Sequence, residues 1–268
     1  MKCIKLIACD LDGTLLNAKK EITKENIDTI KGLKDALFVV ATGRPLDGIK
    51  SINEQLGLNK KNCYSICYNG AVIVENSSHK TIAKETIPYS YIKEVYDYAR
   101  KNNLNFHAFL ADGELITNEK NPYTAVEEKI NHINANVVDI DFLDPSLEFI
   151  KCMIVSAEEN LDRIFPQIPA SIKEKMNVSR SSKIFLEFQN PKTNKGLGLK
   201  ELASYLNIEM ENTMAIGDAD NDKSMLIEAG TAVLMENRFK GLDPYADFIT
   251  KSNEESGGAY ALKHFNVK

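Results

Sequence analysis

The sequence contains no apolar run approaching the ~20 residues that a membrane-spanning helix needs. Its first residues, Met1-Lys2-Cys3-Ile4-Lys5, lack the charged region and longer apolar core of a secretory signal, so none is expected. There is no surplus of positive charge. Lys and Arg number 33 against 38 Asp and Glu, the formal net charge is -5 and the sequence pI is about 5.5. That balance argues against a nucleic-acid partner, which would call for a basic face. It does not exclude a small anion, because local donors decide such binding. Cysteine is scarce and scattered over Cys3, Cys9, Cys63, Cys67 and Cys152. Cys63 and Cys67 lie close, but no second pair or suitable His completes a zinc site. Small thiols in a reducing compartment are the expectation, and with no signal or span the cytoplasm is the expected location. Internal repeats, low-complexity tracts and long linkers are also missing.

What remains is an ordinary globular composition, 43% hydrophobic and 26% charged over 268 residues. That length suits one large or two modest domains. Leu6 to Cys9 is a short apolar run that reads as a buried strand, and it ends on Asp10, Asp12, Gly13 and Thr14. Leu37 to Ala41 is a second such run, ending in Thr42, Gly43, Arg44 and Pro45. Helices are expected over Lys24 to Lys34, capped by Thr23, and over Leu46 to Leu56. Ser65 to Tyr68 and Ala71 to Glu75 flank the turn Asn69-Gly70, and Thr81 to Ile87 follows as a further strand. Strands alternating with helices predict a parallel sheet covered on both faces.

From about Ser90 the pattern changes. A helical stripe of Ile92, Val95, Tyr96 and Ala99 precedes two short strands around the Asp112-Gly113 turn. A helix near Tyr123 to Ile133, strands at Val137 to Ile140 and Phe149 to Val155, and a helix over Glu158 to Phe165 follow. Lys183 to Phe188 alternates as a half-exposed strand would. Paired strands with separate helices predict a small α+β domain, residues 88–188, inserted into a larger one made of 1–87 and 189–268. The parallel pattern then resumes with a helix from Lys195 to Leu206 and a buried strand Thr213 to Ile216. That strand ends in Gly217-Asp218-Ala219-Asp220-Asn221-Asp222.

Parallel strands share one carboxyl-terminal edge, where ligands of such sheets gather. Asp10 and Asp12, Thr42, and Asp218 to Asp222 therefore converge. Lys195 joins them if the helix that it opens starts at the same edge. Crowded carboxylates repel and need a cation to hold them together. Oxygen donors without His or thiolate favour Mg2+ bound with a phosphate. A lysine, a hydroxyl and loop N–H groups suit phosphate oxygens. Together these residues suggest phosphoryl transfer, for which a carboxylate can be the nucleophile. Taken singly each is weaker: Asp10-Leu11-Asp12-Gly13 could be a polar turn, Thr42-Gly43-Arg44 a strand-to-helix turn, Lys195 a solvated lysine, and the Gly217 to Asp222 run a calcium loop lacking its terminal Glu.

The motifs Asp10-Leu11-Asp12-Gly13-Thr14, Thr42-Gly43-Arg44, Lys195-Gly196, and Gly217-Asp218 through Asn221-Asp222 stand in the order found in the haloacid dehalogenase (HAD) superfamily. The chain resembles its Cof-type, sugar-phosphatase-like hydrolases, with Asn69-Gly70-Ala71 and Met235-Glu236-Asn237 also matching. Gly198 and Arg238 depart from the usual pattern. The resemblance implies a HAD-like doubly wound α/β core with an inserted α+β cap domain that sets specificity. It implies Asp10 as nucleophile and Mg2+ ligand. Asp12 would ligate Mg2+ through its carbonyl and carry the proton for leaving group and water. Asp218 would complete the metal site and Asp222 support it. Leu11, Thr42, Gly43, Lys195 and Asn221 would hold phosphate oxygens, and Arg44 and Asn69 would face the substrate. The implied activity is Mg2+-dependent hydrolysis of a small phosphorylated metabolite, such as a sugar phosphate, through an aspartyl-phosphate. A phosphomutase or a non-catalytic phosphate-responsive module would use many of the same residues. In the insert, Phe106, His107, Tyr123, Lys151 and Lys183 could reach a substrate, although packing is the commoner fate of such residues.

Overall fold

The structure, a computed structural model, describes residues 3–268. The chain forms two units. The first runs up to Ala83 and resumes at Asn194, and the second is Lys84–Thr193. In chain order the strands are β1 (Leu6–Cys9), β2 (Leu37–Ala41), β3 (Tyr64–Cys67), β4 (Val72–Glu75) and β5 (Thr81–Lys84). The inserted unit supplies β6 (Ile87–Pro88), β7 (Asn105–Leu110), β8 (Leu115–Thr117), β9 (Ala135–Val137), β10 (Glu148–Val155), β11 (Asn177–Ser182) and β12 (Phe185–Gln189). The chain ends with β13 (Thr213–Gly217), β14 (Thr231–Leu234) and β15 (Phe248–Ile249).

The first sheet has the order β15-β14-β13-β1-β2-β3-β4-β5. It is parallel from β15 through β3, and β3 and β4 form an antiparallel hairpin. All four residues of β1 are buried, which explains why the strand is a continuous apolar run and not an alternating one. Leu6 and Ala8 share a core with Leu199 and Leu202 of the helix Lys195–Tyr205 and with Met225 and Leu226 of the helix Lys223–Glu228. Each fully buried leucine there contributes roughly 1.5–3 kcal/mol. The chain passes from β1 to β2 on one side and returns as β13 on the other. β1 is therefore the switch point of the sheet, and its carboxyl end opens the crevice of a doubly wound fold.

The second unit is α+β. Its sheet has the order β11-β12-β10-β7-β8-β9, with β6 paired to β10. The helix Tyr89–Lys101 packs Ile92, Val95 and Ala99 into a core with Phe106, Ala108, Cys152, Ile154, Leu186 and Phe188.

Several expectations need correction. The insert starts at Lys84 and ends at Thr193, not at 88 and 188. The reason is pairing: Ile87–Pro88 hydrogen-bonds with β10, and Asn190 Nδ2 donates to the Thr86 carbonyl at 2.9 Å. The first helix stops at Lys31, where the Gly32 N–H bonds back to Asp28 and Thr29 carbonyls at 3.1 and 3.2 Å. Pro45 is followed by a short 3-10 turn, Asp47–Ile49, before the helix Lys50–Leu56. β12 is buried along its whole length because Glu187 finds a buried cation, Lys151. The short helix Ala170–Lys175 had no signal beyond Pro169 before it.

Candidate active site

β1 delivers Asp10 to the sheet edge, where its N–H donates to the Ile216 carbonyl of β13 at 2.9 Å. Lys195 is the first residue of its helix. Asn194 caps that helix by accepting from the Leu197 N–H at 2.9 Å. The Lys195 side chain is fully buried, and Nζ donates to Asp10 Oδ1 at 2.5 Å and to Asp222 Oδ1 at 2.7 Å. Asp222 Oδ2 in turn accepts from the Asp218 and Ala219 N–H groups at 2.9 and 3.0 Å, closing the acidic turn after β13. Asp218 Oδ1 accepts from Thr14 Oγ1 at 2.6 Å, which joins that turn to the one after β1. Gly13 sits between them at φ 91°, and a Cβ there would lie 2.4 Å from Asp218 Oδ2. Only glycine suits both demands.

Charge is out of balance here. One ligand oxygen from each of Asp10, Asp218 and Asp222 lies within 4.8 Å of the others. Burial, and then the Asp222 charge, push the Asp10 carboxyl up to about 7 against the pull of Lys195. Burial likewise raises Asp218 to about 6, although the Thr14 hydroxyl favours its charged form. Burial disfavours the Lys195 ammonium, but Asp10 and Asp222 outweigh it and raise its pKa. One lysine cannot neutralise three carboxylates. The donor set is all hard oxygen, which fits Mg2+ held by few carboxylates. Asp222 already accepts three hydrogen bonds, so Asp10 and Asp218 have more lone pairs to offer a cation.

Asp12 stands outside that cluster. Its carboxylate receives Arg44 Nε at 3.1 Å and Nη2 at 2.8 Å, and Lys20 Nζ at 2.8 Å. Burial works against the charge, but these two cations win and lower the Asp12 pKa. Thr42 is buried, with its Oγ1 accepting from the Arg44 N–H at 3.2 Å. Asn221 Nδ2 donates to Asn69 Oδ1 at 3.3 Å, and Asn69 packs against Gly43. Asn69 and Tyr68 take left-handed φ values of 57° and 52°, a strained turn that turns the Asn69 amide toward Asn221. The Leu11 side chain is buried, and its carbonyl accepts from Thr14, Leu15 and Leu16 N–H groups. The structure thus brings Asp10, Lys195, Asp218 and Asp222 together, and a rim of Asp12, Arg44, Asn69 and Asn221 around the same strand ends.

Two contacts were missed in the sequence. Thr14 was readable within its motif as a partner for a later acid. Lys20, beyond the turn, carried no signal. The two departures also have a place. A Cβ on Gly198 would approach Ile66 Cγ2 to 2.8 Å and Gly70 Cα to 3.0 Å, so glycine lets the Lys195 helix lie flush on the Tyr68–Gly70 turn. Arg238 holds Asp243 Oδ1 with Nε at 2.5 Å and the Glu236 carbonyl with Nη1 at 3.1 Å. In the insert, Phe106 is core. Lys151 is paired with Glu187 at 2.9 Å, and His107 Nε2 lies 2.9 Å from Thr124 Oγ1. Lys183 pairs with Glu158 at 3.1 Å on the surface.

Known proteins resemble the chain over nearly its whole length. Residues 7–262 match the family described as haloacid dehalogenase-like hydrolase. The chain belongs to the haloacid dehalogenase-like hydrolases. It falls in their Cof-type group and is a HAD-type phosphatase. A Streptococcus pyogenes relative is 35% identical over 267 residues, 97% of each chain. The 5-amino-6-(5-phospho-D-ribitylamino)uracil phosphatase YcsE of Bacillus subtilis is 28% identical, covering 98% of this chain and 96% of that protein. Among solved structures, a haloacid dehalogenase-like hydrolase from Bacteroides thetaiotaomicron superposes with TM-score 0.89 at 32% identity, over 98% and 99% of the two chains. No helix among the described residues is long and apolar enough to cross a membrane.

Proposed function

We propose that the protein is a Mg2+-dependent phosphatase that hydrolyses a small phosphorylated metabolite, such as a sugar phosphate, through an aspartyl-phosphate at Asp10. The observation that carries this reading is the buried lysine shared by Asp10 and Asp222, with a third carboxylate, Asp218, beside them. In the first step an Asp10 carboxylate oxygen attacks phosphorus, and the bond to the leaving oxygen breaks. Lys195 orients Asp10 and offsets charge on the transferred phosphoryl oxygens, the kind of stabilisation that dominates phosphoryl transfer. Thr42, Gly43, Asn221 and the Leu11 amide hold those oxygens. Once the substrate draws Arg44 off Asp12, the carboxylate takes up a proton from solvent, gives it to the leaving oxygen and then takes one from the water that attacks the phosphoenzyme. Arg44, which holds the Asp12 carboxylate before substrate arrives, and Asn69 face the leaving group. Asp10, the Asp12 carbonyl and Asp218, with Asp222 behind them, would hold Mg2+, which would lower the repulsion between nucleophile and phosphate.

The inserted unit, which has its own core and sheet, serves in this reading as the cap that selects the substrate. The relative that hydrolyses a phosphorylated ribitylamino-uracil supports a substrate with a polyol or sugar phosphate end. The test is a panel of phosphorylated metabolites and an aryl phosphate, assayed for inorganic phosphate with and without Mg2+. Phosphate release that needs Mg2+ and vanishes in Asp10→Asn is the expected result. An isomerised phosphate ester without free phosphate would make the protein a mutase, and full turnover by Asp10→Asn would remove the assigned nucleophile.

A further inference from the structure

The segment after β14 reaches back to the turn that follows Asp10. Asn237 Nδ2 donates to the Gly13 carbonyl at 2.7 Å. Asn237 Oδ1 accepts from the Asn253 N–H at 3.0 Å, and Asn253 Nδ2 donates to the Leu16 carbonyl at 2.9 Å. The Phe239 N–H donates to the Asp218 carbonyl at 2.8 Å. Two side-chain amides therefore hold two carbonyls of the turn, and a backbone bond ties the same segment to Asp218.

The turn needs such a tie. Gly13 lies between Asp12 and Thr14 in a left-handed conformation, and glycine has more backbone freedom to lose than any other residue. Rotation about Gly13 would swing the peptide that leads to Thr14 and pull the Thr14 hydroxyl from Asp218. Because the Thr14, Leu15 and Leu16 N–H groups anchor the far side of the turn to the Leu11 carbonyl, that rotation has to be taken up at Asp12, and its carboxylate then shifts relative to Asp10. The Gly13 carbonyl is the group whose direction reports that rotation, and Asn237 holds it. Arg238, bound to Asp243 and to the Glu236 carbonyl, shapes the segment from behind.

We infer that Asn237 is a positioning residue for Asp12, acting through the Gly13 carbonyl with Asn253 as its brace. This rests on the proposed role of Asp12 as proton carrier. A displacement of about 1 Å at a reacting group can cost ~10^2-fold in rate. The loss falls hardest where the leaving oxygen most needs a proton. Phenyl phosphate, with the more basic leaving group, is then more sensitive than 4-nitrophenyl phosphate.

The experiment measures kcat and KM of the full chain with saturating Mg2+ on both esters, for wild type, Asn237→Asp, Asn253→Ala and Asp12→Asn. Asn237→Asp keeps an oxygen for the Asn253 N–H but loses the donor to Gly13. It is expected to lower kcat on phenyl phosphate about tenfold or more, and by at least about threefold less on 4-nitrophenyl phosphate. KM and melting temperature stay near wild type. Asn253→Ala shows the same pattern at smaller amplitude and serves if Asn237→Asp folds poorly. Equal losses on both esters, or none, would overturn the inference, since a merely structural defect does not discriminate leaving groups. Asp12→Asn separates the two levels. If it too fails to discriminate, the proton-carrier role fails. If it discriminates and the Asn variants do not, only the role of Asn237 fails.

Discussion

Lys195 in the first unit and Lys151 in the second are both buried against carboxylates, and the two surroundings settle their charge differently. Lys195 faces Asp10 and Asp222 with Asp218 close by, three acids to one base. Lys151 has one close partner, Glu187, at 2.9 Å, and its ammonium lies 5.0 Å from the centre of the Phe109 ring. The other titratable groups around Lys151 lean toward neutrality. Burial raises the Glu127 carboxyl, which Asn131 Nδ2 holds by a 3.0 Å hydrogen bond. Burial, and then Lys151, push His107 down to about 4. The Lys151 cluster is thus balanced by its own residues and behaves as structure. The Lys195 cluster keeps an excess of negative charge that its own residues do not cancel, the imbalance on which the proposed Mg2+ site rests.

The comparison breaks most sharply at its acids. Asp10→Asn should lower turnover by about four orders of magnitude or more, the scale seen when a nucleophile is lost. In the absence of divalent cation it should leave stability to urea unchanged or higher, because it removes one of three crowded charges. Glu187→Gln should do the reverse to stability. It strands a buried ammonium and should cost about 3–5 kcal/mol by urea denaturation. Comparable destabilisation by both substitutions would refute the imbalance.

This contrast also marks what could be read from the sequence. The Asp-rich strand ends were legible because a buried apolar run that stops on Asp10 or on Gly217-Asp218 has few structural reasons to do so. Parallel pairing then brought them together. The Lys151–Glu187 pair was not legible. Both residues lie within strands, where period-two alternation sends them to an apparently exposed face. Only the pairing of Met153 with Glu187 across β10 and β12 sets that acid beside Lys151. The limits of the insert were misread for a related reason, since Ile87–Pro88 looks like the end of one sheet and is the start of another. Gly198 was a mere oddity until its distance to Gly70 was known.

Three smaller effects sharpen the contrast. Mg2+ at a hundred times its dissociation constant should stabilise the protein by about 2.7 kcal/mol. Asp218→Asn should abolish that shift, while a Lys151→Met and Glu187→Leu double variant should retain it, as thermal melting with and without Mg2+ would show.

The pH response of the cation-free protein should have opposite signs in the two clusters. Asp10 holds its proton longer in the folded state, so its contribution to stability is full below its ordinary value of 3.8 and is lost as pH rises to about 7. His107 is held neutral, so its contribution is full above its ordinary 6.5 and is lost as pH falls toward about 4. Asp10→Asn should therefore tilt the urea stability curve upward with pH across this window, and His107→Gln should tilt it downward. Smallest of all, Gly198→Ala should cost about 1–3 kcal/mol by forcing the Lys195 helix off the Tyr68–Gly70 turn.

The central claim, that the unbalanced cluster exists to make Asp10 a phosphorus nucleophile, has a direct test. An aryl phosphate is turned over with Mg2+, the reaction is quenched with borohydride, and the peptide around residue 10 is read by mass spectrometry. An acyl phosphate is reduced by borohydride and a free carboxylate is not, so the account predicts homoserine in place of Asp10, dependent on both Mg2+ and substrate. Steady phosphate release with Asp10 unreduced, or reduction at Asp12 or Asp218 in its place, would contradict it.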